Sequence, residues 1–165
     1  MSNLRIGLGY DLHRTEAGRA LVLGNITIPH EKGLAGHSDA DVVLHALIDA
    51  ITGAAGLPDV GQMFPNTDPK YRGIDSARLM EATIAALGEK DGGSWRIVNV
   101  DVVIIAQQPK LSPYKDAMRR RVAELLKVTP EQVNIKGKTN EHVDAVGEER
   151  AIACHCVALL ERVGK

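Results

Sequence analysis

Aromatic side chains are scarce: one Trp, three Tyr and one Phe make up 3% of 165 residues. That argues against a stacking platform for single-stranded nucleic acid, which needs rings under successive bases. An excess of one charge sign is lacking too. Twenty Lys and Arg face 21 Asp and Glu, a net charge of −1, so no basic field recruits nucleic acid or an anionic membrane. No apolar run approaches the roughly 20 residues that span a bilayer. No long apolar stretch follows a basic start at the amino terminus, so neither a secretory leader nor a transit segment is expected. There are two cysteines, Cys154 and Cys156. One residue apart in a strand, they point the same way and are poorly placed for a disulfide. Reduced thiols and a cytoplasmic setting are expected.

What is present is ordinary for a globular chain, 44% hydrophobic and 25% charged. The length suits a single domain over 1–165 with a sizeable core. A first strand is expected over 4–10, alternating through Leu4, Ile6 and Leu8. Residues 21–28 read as a hairpin turning at Gly24-Asn25, and 31–36 as a Gly-rich connection. A helix is expected from Ser38 to Gly53 or Gly56, with Ser38 or Asp39 capping its free amides and Val43, Leu44, Leu47, Ile48 and Ile51 facing the core. Residues 57–69 are rich in Pro, Gly and Asp and read as a binding loop with one short helical turn.

Further helices are expected over 75–87, behind Asp75-Ser76, and over 114–126. Asp91-Gly92-Gly93-Ser94 reads as a turn. The near-continuous apolar run 97–106 reads as a buried central strand, with further strands over 133–138 and 151–163. In the last strand, Ile152, Cys154, Cys156, Ala158 and Leu160 share one face. The pattern is α+β: a mainly four-stranded sheet with helices packed on one face. A sheet face left bare points to oligomer formation.

Two local patterns carry chemistry. Asp11 and His13, at i and i+2 of an extended segment, point to the same side and can grip one object. Asp41, His45 and Asp49 recur every four residues on the central helix and stack on one face. That stripe reads either as a solvent-facing polar face or as a pocket wall, with a neighbouring carboxylate orienting the second nitrogen of His45. Two imidazoles and one carboxylate, His13, His45 and Asp11, suit zinc with a fourth position open. His37 precedes the helix start, where free amides favour a phosphate.

These segments, in their order and spacing, resemble the 2-C-methyl-D-erythritol 2,4-cyclodiphosphate synthase family of the non-mevalonate isoprenoid pathway. The resemblance rests on Gly9-Tyr10-Asp11-Leu12-His13, Ile28-Pro29-His30-Glu31-Lys32-Gly33-Leu34, His37-Ser38-Asp39-Ala40-Asp41-Val42-Val43-Leu44-His45-Ala46, Asp59-Val60-Gly61, Phe64-Pro65-Asn66-Thr67-Asp68-Pro69, Asn99-Val100-Asp101, Ala106-Gln107-Gln108-Pro109-Lys110 and Lys138-Thr139-Asn140-Glu141. It implies a homotrimer with active sites at subunit interfaces and sheets lining a central cavity. It implies a reaction in which the 2-phosphate of 4-diphosphocytidyl-2-C-methyl-D-erythritol 2-phosphate attacks the β-phosphorus, CMP leaves and a cyclic diphosphate forms. No protein nucleophile is needed, in keeping with the lack of a Ser–His or Cys–His arrangement; the chemistry is positioning and charge neutralisation.

By the same resemblance Asp11, His13 and His45 hold Zn2+, and Glu141 holds a Mg2+ or Mn2+ that bridges the α- and β-phosphates. His37 and Thr139 stabilise the transition state, and Ser38 touches the methylerythritol phosphate. Asp59, Val60, Gly61, Phe64, Pro65, Asn66, Thr67 and Asp68 form the methylerythritol pocket, with Asn66 where an aspartate is commoner. Ala106, Gln107, Gln108, Pro109, Lys110, Leu111 and Ser112 form the cytidine pocket of a neighbouring subunit. Lys138 and Asn140 stand where threonines are usual, so Lys138 adds a cation near the diphosphate. Glu148 replaces an expected arginine and Ala145 an expected phenylalanine; no substrate role is assigned to Glu148. A metal-dependent phosphohydrolase and a non-catalytic nucleotide binder are the competing functions.

Overall fold

The computed structural model describes residues 3–88 and 94–164; of the turn expected at 91–94, residues 91–93 lie outside them and Ser94 opens a strand. Among the described residues seven strands and five α-helices follow in order: β1 Leu4–Ala17, β2 Leu21–Leu23, β3 Ile26–Ile28, β4 Lys32–Leu34, α1 Val42–Ala55, α2 Val60–Met63, α3 Ser76–Ala86, β5 Ser94–Ile105, α4 Lys115–Leu126, β6 Val133–Lys138, α5 Asp144–Gly147 and β7 Ala151–Val163. Single 3-10 turns lie at Pro69–Tyr71 and Pro130–Gln132. No helix among the described residues is long and apolar enough to cross a membrane.

The main sheet has five strands in the order β4-β1-β7-β5-β6, not the four expected. The extra strand is β4, in the stretch read as a connection; its three residues pair with the far end of β1 through Thr15–Leu34, Glu16–Gly33 and Ala17–Lys32. Three residues, the middle one a glycine, are too short to show a period of two. β5 and β6 are parallel and the other pairings antiparallel. β2 and β3 form the expected hairpin.

Helices cover one face of the sheet. Ile152, Cys154, Cys156, Ala158 and Leu160 are buried beneath them with Val43, Leu44, Leu47, Ile48 and Ile51 of α1. The two cysteines are free and buried. The opposite face of β1 presents Leu4, Ile6, Leu8, Tyr10 and Leu12 to solvent, with Ile6 71% and Leu8 68% exposed. Large aliphatic and aromatic residues so exposed on a sheet mark a surface that a partner covers.

The α1–β1 contact sets the site. Gly7 and Gly9 face Ala46, Ala50 and Ala54, one helix turn apart. A Cβ on Gly9 would lie 1.9 Å from the Ala46 carbonyl oxygen, and one on Gly7 1.9 Å from that of Ala50. Bare backbone against small side chains brings the helix down onto the strand. His45, next to Ala46, is thereby brought over Asp11, two residues beyond Gly9.

The start of α1 differs from expectation. Asp41, not Ser38 or Asp39, is the N-cap, and the helix begins at Val42. The Asp41 carboxylate accepts the amides of Val43 and Leu44, as a cap does. It also accepts those of Gly24 and Asn25 from the β2–β3 turn. Burial pushes its carboxyl up to about 6 against these amide hydrogen bonds. An aspartate four residues before the histidine therefore serves the backbone, not the pocket.

Candidate metal centre and active-site cleft

Asp11 and His13 leave the same side of β1, as their spacing requires, and His45 reaches them from the first turn of α1. Asp11 Oδ2 lies 2.9 Å from His13 Nε2 and 3.0 Å from His45 Nδ1. The two ring nitrogens are 3.2 Å apart. These three are a group of ligand atoms able to hold a metal. Tetrahedral zinc with bonds of about 2.0–2.1 Å spaces its ligand atoms at about 3.3 Å, so the residues present fit that ion.

Protons support the same reading. His13 Nδ1 donates to the Ala35 carbonyl oxygen at 2.7 Å, which leaves Nε2 of the neutral ring with a free lone pair. A Cβ on Gly36 would stand 3.2 Å from the His13 ring, so a bare backbone there gives the imidazole its room. Burial favours the neutral form of His13, but the hydrogen bond and charge of Asp11 outweigh it and its pKa is raised. Burial alone would raise the Asp11 pKa; the hydrogen bonds and charges of the two imidazoles outweigh it and hold the carboxyl well below the usual carboxylate range. A carboxylate facing two imidazole lone pairs is a site for a cation.

The aspartates expected to orient His45 do not. Asp41 is spent on four amides, as above, and Asp49 accepts the Val60 amide at 2.8 Å, fixing the start of α2. His45 Nε2 instead meets Ser76 Oγ at 3.0 Å and Ser38 Oγ at 3.3 Å. Ser76 was legible only as the start of α3. Nothing in the sequence ties it to a histidine 31 residues earlier.

A cleft of about 430 Å3 opens beside this group, within the range of small-molecule sites. It is lined by His13, His45, His37 and Ser38 and by Val60, Gly61, Phe64 and Asn66, together with Tyr71, Ile74 and Leu79, which sequence reasoning missed. Phe64 and Tyr71 meet edge to face at 5.6 Å. Arg19 donates to the Ser38 carbonyl oxygen at 3.1 Å and so steadies the loop that carries His37 and Ser38.

The expected residues do not all converge within one chain. Ala106, Gln107, Pro109, Lys110, Leu111 and Ser112, with Lys138 and Thr139, line a second hollow of about 140 Å3 that shares no residue with the first. Gln108, joined to Pro109 by a cis peptide bond, lines neither, nor do Pro65, Thr67 and Asn140. Asn140 donates to Asp144 at 2.8 Å. Asp59 caps α2 through the Gln62 amide, and Asp68 caps the Pro69–Tyr71 turn while pairing with Lys70 at 2.9 Å. Glu141 is exposed, in the left-handed region at φ 49°, and accepts from Thr139 Oγ1 at 2.6 Å. At the variant stretch, Arg150 pairs with Glu148 at 2.7 Å.

An α+β sandwich with a two-histidine, one-carboxylate group able to hold a metal beside a ligand-sized cleft has the features of an enzyme acting on a small molecule. The sequence profile of the YgbB family matches residues 4–161, and the chain belongs to that family. It is 54% identical to the 2-C-methyl-D-erythritol 2,4-cyclodiphosphate synthase of Dechloromonas aromatica over 98% of this chain and 99% of the relative. The chloroplastic synthase of Catharanthus roseus is 47% identical, over 97% of this chain and 66% of its own. Among solved structures, IspF of Plasmodium falciparum in complex with CDP superposes with a TM-score of 0.83 at 32% identity, covering 98% of this chain and 97% of that one.

Proposed function

We propose that this protein converts 4-diphosphocytidyl-2-C-methyl-D-erythritol 2-phosphate to 2-C-methyl-D-erythritol 2,4-cyclodiphosphate with release of CMP. The observation that carries the reading is the convergence of Asp11 with His13 and His45, two imidazoles that line a ligand-sized cleft, in a chain so similar to synthases of that name. An oxygen of the 2-phosphate forms a bond to the β-phosphorus as the bond from that phosphorus to the bridging oxygen breaks. The electron pair leaves on the CMP phosphate, and no protein group is covalently used.

Asp11, His13 and His45 would hold Zn2+, and Glu141 a Mg2+ or Mn2+. When bound, these ions supply Lewis-acid polarisation and a template for phosphate oxygens. The chain's own residues do the rest. His37 and Ser38, at the rim of the cleft, take the phosphate end of the substrate. Val60, Gly61, Phe64 and Asn66 enclose the sugar, and the Phe64–Tyr71 wall keeps water from the reacting phosphorus. Thr139, its hydroxyl held by Glu141, and Lys138 face the nucleotide side.

The two hollows lie on different parts of one chain, so a complete site needs two copies. We assign a homotrimer, with Leu4, Ile6, Leu8, Tyr10 and Leu12 buried between subunits around a central cavity. The second hollow of one subunit then completes the cleft of the next. We also assign a single domain over 1–165 and a cytoplasmic setting, in keeping with two free thiols. Incubation of the zinc- and magnesium-loaded protein with the diphosphocytidyl substrate, followed by 31P NMR, tests the reaction. Paired signals of a cyclic diphosphate together with CMP are expected. An open-chain phosphate would mean a hydrolase, and unchanged substrate would mean a binder.

A further inference from the structure

His45 is the one ligand whose second nitrogen does not meet a carbonyl or carboxylate oxygen; it meets a serine. Ser76 Oγ lies 3.0 Å from His45 Nε2 on one side and 2.5 Å from Asp39 Oδ1 on the other. A hydroxyl has one proton. The short contact to a carboxylate claims it, so Ser76 can only accept from His45. Nε2 therefore carries the ring's proton, and Nδ1 presents a bare lone pair toward Asp11 and His13. Asp39 is itself immobilised: Oδ2 accepts the Ser76 amide at 3.0 Å, Oδ1 accepts the Asp41 amide at 3.2 Å, and its own amide donates to the Ile74 carbonyl oxygen at 3.1 Å. Ser38 Oγ, the other neighbour of Nε2, is farther away at 3.3 Å; it accepts the Ala40 amide at 3.1 Å, and its own proton has other acceptors, Ser76 Oγ at 3.5 Å or a ligand in the cleft it lines, so the closer Ser76 contact decides the tautomer.

We propose that Asp39 and Ser76 are positioning residues for the metal: a carboxylate–hydroxyl–imidazole relay that fixes the tautomer and ring plane of His45 so that Nδ1, and not Nε2, is its ligand atom. The inference rests on the metal assignment made above. Its physical basis is that a ligating imidazole is oriented by the acceptor on its other nitrogen, and that hydrogen bonds in series polarise one another. The relay also ties the loop leading into α1 to the first residue of α3, so the metal site is braced by an element that contributes no ligand.

The test uses the full-length protein and zinc alone, read by competition with a chromophoric chelator, alongside urea unfolding of the metal-free protein. Ser76→Ala is expected to weaken zinc binding by about 10–100-fold and Ser76→Thr to stay within about threefold of the parent. Asp39→Asn keeps an acceptor oxygen but not the charge, and should fall between. Because Ser76 is fully buried and threonine adds a methyl, 15N NMR of the histidine rings in the parent gives a second readout. A zinc-loaded His45 with Nε2 protonated and Nδ1 ligating supports the relay. A zinc-bound Nε2, or a Ser76→Ala affinity within threefold of the parent, overturns it. Zinc binding that needs His45 and Ser76 without turnover would sink the proposed reaction and leave the relay standing.

Discussion

Adding one methyl group at Gly9 should disable the metal site without touching a ligand. The Cβ of Gly9→Ala would stand 1.9 Å from the Ala46 carbonyl oxygen and 2.7 Å from the Ala50 amide nitrogen. Real Cβ contacts begin near 3.0 Å, so α1 must lift from β1 by at least 1.1 Å. His45 rides on that helix, and its Nδ1 is 3.0 Å from Asp11 Oδ2. The lift takes this spacing to about 4 Å, beyond the roughly 3.3 Å that a tetrahedral zinc spans. Zinc affinity should fall by about 100-fold, since an ångström of misplacement is felt at that scale. Overpacking against backbone should also cost about 2–4 kcal/mol of stability. Chelator competition reads the first effect and urea unfolding the second. Ala46→Gly in the same chain should not rescue either, because the obstructing atom is a main-chain oxygen. A Gly9→Ala protein with parental zinc affinity and urea midpoint would refute the close-approach account.

Zinc affinity should depend on pH through His13. Its pKa is raised above the ordinary 6.5, so below that raised value a proton competes for Nε2 and affinity should drop by about tenfold per pH unit, levelling off above it. Competition titrations from pH 5.5 to 8.5 check this, and a flat profile through the acid half contradicts it. Asp41→Asn should destabilise the fold by about 2–4 kcal/mol. Four amides converge on that carboxylate, and an NH2 group must then face at least one of them; unchanged urea unfolding contradicts the assignment. Ile6→Glu puts a charge on the bare sheet face and should dissociate the proposed trimer while leaving the subunit folded. Light scattering that still reports three subunits would show that this face is not the interface.

Much of the site was legible because it depends on short-range geometry. Asp11 and His13 are two apart in a strand, and the alternation of Leu4, Ile6 and Leu8 fixes which side they leave. The apolar period of α1 marked the face that packs on the sheet, and Val157, Leu159 and the cysteines favoured a strand over the competing helix at the end of the chain, as β7 is. The misreadings have physical causes too. Helical spacing placed Asp41 and Asp49 beside His45, but backbone amides from the β2–β3 turn and from α2 compete for those carboxylates and win. The Nε2 partners of His45 are Ser76, 31 residues away, and Ser38; Asp39, read only as a possible cap, bonds to Ser76 behind it. β4 was missed because three residues carry no period. Gly7 and Gly9 carried no reading beyond their place in the first strand; only the helix above them shows that the missing side chains set the distance between ligands.

The account stands on one dication held by Asp11, His13 and His45. Diffraction from crystals of the protein purified with zinc, recorded on both sides of the zinc absorption edge, tests it most directly. One anomalous peak per subunit is expected, within about 2.0–2.2 Å of an Asp11 carboxylate oxygen, His13 Nε2 and His45 Nδ1. A peak elsewhere, or none at those three atoms, contradicts the account.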